Sequence, residues 1–125
     1  MPTPSERGLQ VRREVLGDDY VDRHMAAPNG FDRPLQELIT EVAWGRVWDR
    51  PGLGRRERSL ITVAMLTALG RADELAVHLE GAIRNGVTEP ELQEALLQAA
   101  LYCGIPAALD AFRVAARVVP DVNAP

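Results

Sequence analysis

The run Arg55-Arg-Glu-Arg-Ser-Leu-Ile-Thr-Val-Ala-Met-Leu-Thr-Ala-Leu69 decides the fold class. After its basic start it is apolar on nearly every side, and only Thr62 and Thr67 interrupt the stretch from Leu60 to Leu69. It lacks strand-like alternation, so it reads as a helix, and a helix apolar all round reads as a buried one. It is too short to span a bilayer. The expectation is a helical fold with this segment at its buried centre.

Downstream, the helical signals continue. In Ala72 to Arg84, residues Leu75, Leu79, Ala82 and Ile83 fall on one face of the helical wheel, and Asn85-Gly86 offers a stop. Thr88-Glu-Pro-Glu91 has the form of a capping box and opens a helix carrying Leu92, Ala95, Leu96, Ala99 and Cys103. Gly104 ends it, and Pro106 begins a last helix with Leu109, Phe112 and Ala116 on one side. Upstream, Thr3-Pro-Ser-Glu6 is another capping box, opening a helix to about Leu16 with Gly17 as its stop. A short helix from Asp18 to Ala26 precedes the loop Pro28-Asn-Gly30. From Pro34, the positions Leu35, Leu38, Ile39, Val42 and Ala43 keep three-four spacing until Arg50-Pro-Gly52 closes the element. Pro120 and Pro125 bracket a polar tail. The reading is a single all-α domain over residues 1–125, compact, of about six to seven helices, with its core at about 5–118.

Composition narrows the function classes. Net charge is −4 and the 14 basic residues are all arginine, as codon usage in a GC-rich genome would produce. An acidic chain whose one dense basic cluster is Arg55, Arg56 and Arg58 makes too few phosphate contacts for a nucleic-acid partner. The single cysteine cannot form an internal disulfide or a zinc site by itself. The opening Met-Pro-Thr-Pro-Ser-Glu-Arg has no apolar stretch behind it, so a cytoplasmic protein without a membrane partner is expected. No phosphate loop, nucleotide fingerprint, nucleophile elbow or metal-ligand spacing stands in the sequence.

Of the two histidines, His24 sits near a loop and reads as exposed or capping, whereas His78 falls at the edge of a buried helix face. Glu74 lies four residues before it, within reach of an imidazole nitrogen, where it would fix the tautomer and favour the protonated ring. Arg71 could hold an anion beside that ring. The plainer reading is a groove-filling histidine beside a surface ion pair, and spacing does not choose between the two. Glu41 is either a half-buried acid or an ordinary exposed one. Trp44 and Trp48, four apart, should pack together or line a cleft, and Tyr102-Cys103 could wall a pocket against Gly104.

The chain resembles the carboxymuconolactone decarboxylase family. The likeness runs through Arg13-Glu-Val-Leu-Gly-Asp-Asp-Tyr-Val-Asp22, Trp44-Gly-Arg-Val-Trp-Asp-Arg-Pro-Gly-Leu53 and Arg58-Ser-Leu-Ile-Thr-Val-Ala-Met-Leu66. It continues in Glu74-Leu-Ala-Val-His-Leu79, Asn85-Gly-Val-Thr88, Tyr102-Cys-Gly-Ile-Pro-Ala107 and Ala111-Phe112. Each motif is weak alone; their order and spacing together are specific. One departure separates the chain from the alkylhydroperoxidase D group of the wider superfamily, known for a Cys-x-x-Cys pair four residues ahead of a histidine. With His78 on that histidine, Arg71 and Glu74 stand where the two thiols would be. Without those thiols a disulfide-cycling peroxidase cannot run.

The resemblance implies an alkylhydroperoxidase D-like fold and a homo-oligomer, a hexamer. It implies loss of CO2 from 4-carboxymuconolactone to give β-ketoadipate enol-lactone in protocatechuate catabolism, with no cofactor; the missing metal-ligand spacing separately leads to the expectation of no metal. On that reading His78 would be the proton donor or anion stabiliser, with Glu74 as its catalytic partner. Arg58 and Arg71 would dock substrate carboxylates, and Glu41, Trp44, Tyr102 and Cys103 would line the substrate site. Two alternatives stay open: an enzyme of the same fold acting on another lactone or β-keto acid, and a non-catalytic helical binding module.

Overall fold

A computed structural model of the chain describes residues 1–26 and 29–119. Among them are seven α-helices, one π-helical segment and no strand. Pro28 of the expected loop and the tail from Pro120 lie outside the described residues. The chain divides into two compact units, residues 1–54 and 55–125.

In the first unit, α1 (Pro4–Leu16) is followed by α2 (Asp18–Ala26) and α3 (Arg33–Leu38), which runs directly into the π-helical segment Ile39–Val47. Thr3 accepts from the Glu6 backbone N–H while the Glu6 side chain returns to Thr3 N, so the expected capping box is present. α1 packs on the π-helical segment almost backbone to backbone. Gly8 and Gly45 permit this, since a Cβ on Gly8 would strike the Thr40 carbonyl and one on Gly45 the Pro4 carbonyl. Val11, Val15, Leu16, Val21 and Trp44 are buried. Arg12 is buried with them at 5% exposure; among the described residues its hydrogen bonds go to Thr40 Oγ1 at 3.3 Å and Met25 Sδ at 3.8 Å. Burial holds its guanidinium pKa below the usual value. The apolar stripe expected from Pro34 onward is not a buried face here: Leu35, Leu38 and Val42 are exposed, while Thr40 and Trp44 go inward.

The second unit pairs α4 (Arg55–Leu69) with α5 (Ala72–Arg84) and α6 (Glu89–Cys103) with α7 (Ile105–Val118). Contacts of α4 with α6 and of α5 with α7 close the four into one cluster. Its core contains Val63, Leu75, Leu79, Ala82, Leu96 and Val114. The buried face read from α5 is therefore the observed one. Two other expectations are corrected. α4 buries Ser59, Val63 and Thr67 and leaves Ile61, Met65 and Leu69 exposed, so it is not buried all round. The burial of hydroxyls is possible because each is bonded: Thr67 donates to the Val63 carbonyl at 2.8 Å, and Ser59 Oγ accepts from Asn85 Nδ2 at 2.9 Å. On α7, Ala108, Ala111 and Val114 are buried, whereas Leu109 is exposed, so the core-facing side is not the expected one. Glu91 closes the capping box on Thr88 and also ion-pairs with Arg56, tying the starts of α4 and α6 together. No helix among the described residues is long and apolar enough to cross a membrane.

Candidate active site

The chemistry-bearing cluster of the second unit is built on the first two turns of α5. Gly70, at φ +70°, takes the chain out of α4 in a conformation that disfavours side chains, and Arg71 then stands at the N-cap position. Arg71 Nη2 donates to Glu74 Oε1 at 2.8 Å. That bond, with the arginine charge behind it, holds the Glu74 carboxyl below the usual carboxylate range.

His78 follows one turn later, between the buried Leu75 and Leu79. Its ring is largely enclosed, with Nδ1 shut off from solvent. Burial pushes its pKa down to about 4, and the nearby Glu74 charge pulls upward without offsetting it. Glu74 thus favours the protonated ring as its spacing predicts, but burial outweighs it. At neutral pH the imidazole of this chain is uncharged, because desolvation disfavours the cation by more than the Glu74 charge favours it.

The remaining expected site residues lie on other elements. Arg58, on α4, is partly buried, and its carbonyl accepts from Thr62 Oγ1 at 2.7 Å. Tyr102 and Cys103 are both exposed at the end of α6. Glu41 and Trp44 belong to the first unit. Glu41 is half-exposed and pairs with Arg46 at 3.3 Å, and Trp44 is buried and stacks on Trp48 with ring centroids 4.8 Å apart. His24 is exposed, stacks on Tyr20 at 4.0 Å and has Nδ1 3.0 Å from the Tyr20 carbonyl, in keeping with a structural role. Among the described residues no group of three His, Cys, Asp or Glu side chains is placed to hold a metal ion.

A groove of about 240 Å³ beside Arg71 escaped the sequence reading. Arg113 and Arg117 of α7 line it, and their only sequence signal is a spacing of four on a helix whose core-facing side was misassigned.

A sequence profile of the carboxymuconolactone decarboxylase family matches residues 33–117, which takes in α3 through most of α7. Among individual relatives, 4-carboxymuconolactone decarboxylase of Acinetobacter baylyi is 48% identical over 118 residues, covering 94% of this chain and 88% of that one. Nitrosuccinic acid decarboxylase npaB of Metarhizium robertsii is 47% identical over 117 residues, covering 94% and 82%. An uncharacterized 15.0 kDa protein of Paracoccus denitrificans is 30% identical over 101 residues, covering 73% and 75%.

Proposed function

The chain belongs to the carboxymuconolactone decarboxylase family, and from that premise we propose that it decarboxylates 4-carboxymuconolactone to β-ketoadipate enol-lactone without a cofactor, in protocatechuate catabolism. The observation that carries this reading is the 48% identity to the Acinetobacter baylyi enzyme over nearly the whole chain, including the segment that holds Arg71, Glu74 and His78.

The substrate brings its own electron sink. As the bond to the departing carboxyl carbon breaks, its electron pair passes through the ring double bond to the lactone carbonyl, leaving a furan-oxide-like anion. The protein must then orient the lactone, stabilise that anion and supply one proton. His78 is the residue for the last two tasks. Uncharged in the empty protein, it gains a proton when the carboxylates of the substrate arrive, because negative charge nearby favours the imidazolium. The imidazolium gives its proton to the ring carbon and returns to the neutral form that burial prefers. Glu74 keeps the cation within reach, and Arg71 and Arg58 supply donors for carboxylate oxygens. Tyr102 and Cys103 enter as lining groups, on the strength of the family likeness.

A second reading has a specific observation behind it, the 47% identity to a nitrosuccinic acid decarboxylase. A nitro group is an electron sink of the same kind, so the same anchors and the same proton donor would serve. Measuring CO2 release from both acids, with and without chelator, separates them. A kcat/KM at least tenfold higher for the lactone supports the first reading; the reverse order replaces it with the second. We further propose a homohexamer, supported by the apolar residues left exposed on the single chain, among them Met65, Leu69, Leu101 and Ile105.

A further inference from the structure

The groove beside Arg71 has an apolar floor that includes Leu66, Leu75, Ala111 and Val114. Around it stand three arginines, Arg71, Arg113 and Arg117, against one acid, Asp110. This is a local excess of positive charge on a chain whose net charge is −4. The existing pairings leave most guanidinium donors available. Arg71 bonds Glu74 at 2.8 Å through Nη2, and Arg113 reaches Asp110 at 3.3 Å through Nη1. Each guanidinium has five N–H groups in all. Arg117 lies one turn beyond Arg113, a like-charge spacing that is unfavourable until an anion comes between the two. Gly70, Ala72 and Ala107 line the groove without filling it. At about 240 Å³ it falls just below the range of ordinary ligand pockets, roughly 300–1,000 Å³. It suits a small organic anion.

We propose that this groove anchors the carboxylate that the substrate keeps, with Arg113 and Arg117 as the anchoring cations. The inference rests on the decarboxylase reading and deepens it. Tight binding of the carboxylate that must leave would stabilise the ground state and slow its loss, whereas binding energy placed on the retained carboxylate carries no such penalty. Arg71 and Leu75 line the groove, and His78 follows Leu75 by three residues on the same helix. The arrangement selects dicarboxylates over monocarboxylates.

The test uses succinate, an unreactive dianion, and propionate, its monoanionic counterpart, titrated into the purified full chain by calorimetry. Succinate should bind the wild type more tightly than propionate. Arg113→Gln combined with Arg117→Gln should weaken succinate about tenfold, the scale of one charge-assisted hydrogen bond. Ala107→Phe, which fills the groove with every charge in place, should do the same. In turnover, the double variant should raise KM about tenfold while kcat changes less than about threefold. Unchanged succinate affinity in the double variant overturns the inference. So does a loss of affinity accompanied by a change in oligomeric mass, which would make the groove a contact between copies. Lactone turnover with a wild-type KM in the double variant removes the anchor and leaves the decarboxylase reading intact. Arginine-dependent succinate binding in a chain that decarboxylates neither acid upholds the dianion site and removes that reading.

Discussion

Arg71 bonds Glu74 at 2.8 Å, and through that bond it claims the carboxylate that stands one turn before His78. Spacing had suggested a Glu74-His78 pair that would keep the ring charged. Burial of the ring outweighs the Glu74 charge and gives the opposite resting state, with a His78 pKa of about 4. Two consequences follow for pH.

The first concerns stability. An unfolded histidine titrates near 6.5, well above the folded value of about 4. The contribution of His78 is therefore fully present above pH ~6.5, is lost as the pH falls toward 4, and changes no further below that. The loss is on the order of 3 kcal/mol. Urea unfolding of the wild type and of His78→Asn between pH 7 and 4 should show the wild type losing more stability by that order. Parallel pH dependence in the two proteins would contradict it.

The second concerns catalysis. Only the small imidazolium fraction of the empty protein matches an incoming dianion, so kcat/KM should fall as pH rises from about 5 to 8, with a logarithmic slope approaching −1. The complex holds its proton more firmly, so kcat should stay level further up the same range. A kcat/KM flat across that interval would show that the neutral ring suffices. With only two histidines in the chain, NMR titration reads both directly. Glu74→Gln should lower the His78 pKa further, with His24 as the internal control.

How much of this was legible beforehand depended on the kind of force involved. The inward face of α5 was legible, because Leu75, Leu79 and Ala82 contrast with charged neighbours. The two capping boxes were legible because their bonds are local. The buried face of α4 was not, since Ser59 and Thr67 enter the interior only by virtue of hydroxyl bonds to Asn85 and to the Val63 carbonyl. On α7, alanines lie on both sides, and the smaller set, Ala108 and Ala111, went inward while Leu109 stayed out. At the site, the Glu74-to-His78 spacing and a surface ion pair beside it were visible, but the burial of the ring is a tertiary effect that spacing does not report.

The close crossing of α1 on the π-helical segment depends on two absent side chains. Gly8→Ala places a methyl group against the Thr40 carbonyl, and Gly45→Ala places one against that of Pro4. Each should destabilise the protein by about 1–3 kcal/mol or more, as overpacking does. Thermal denaturation checks this. An unchanged midpoint for both variants would mean that the helices do not cross where described.

Arg12 provides a test of buried charge. It is 95% removed from solvent, and among the described residues no carboxylate bonds to it. Arg12→Met should therefore be neutral or stabilising, because it removes a desolvated charge and keeps most of the volume. Thr40→Val should cost about 1–3 kcal/mol, since it takes away a hydrogen-bond acceptor and leaves the charge in place. The denaturant midpoint should fall in Thr40→Val and hold or rise in Arg12→Met. A large loss in Arg12→Met would show that the guanidinium is compensated by something beyond Thr40 and Met25.

The central claim is that this chain removes CO2 from a carboxylated lactone through His78. The direct measurement is the initial rate of CO2 release from 4-carboxymuconolactone by the wild type and by His78→Ala, with matching circular dichroism spectra to establish that both are folded. The account predicts steady release by the wild type and a fall on the order of a hundredfold or more in the variant. A folded His78→Ala protein that releases CO2 at the wild-type rate would contradict it.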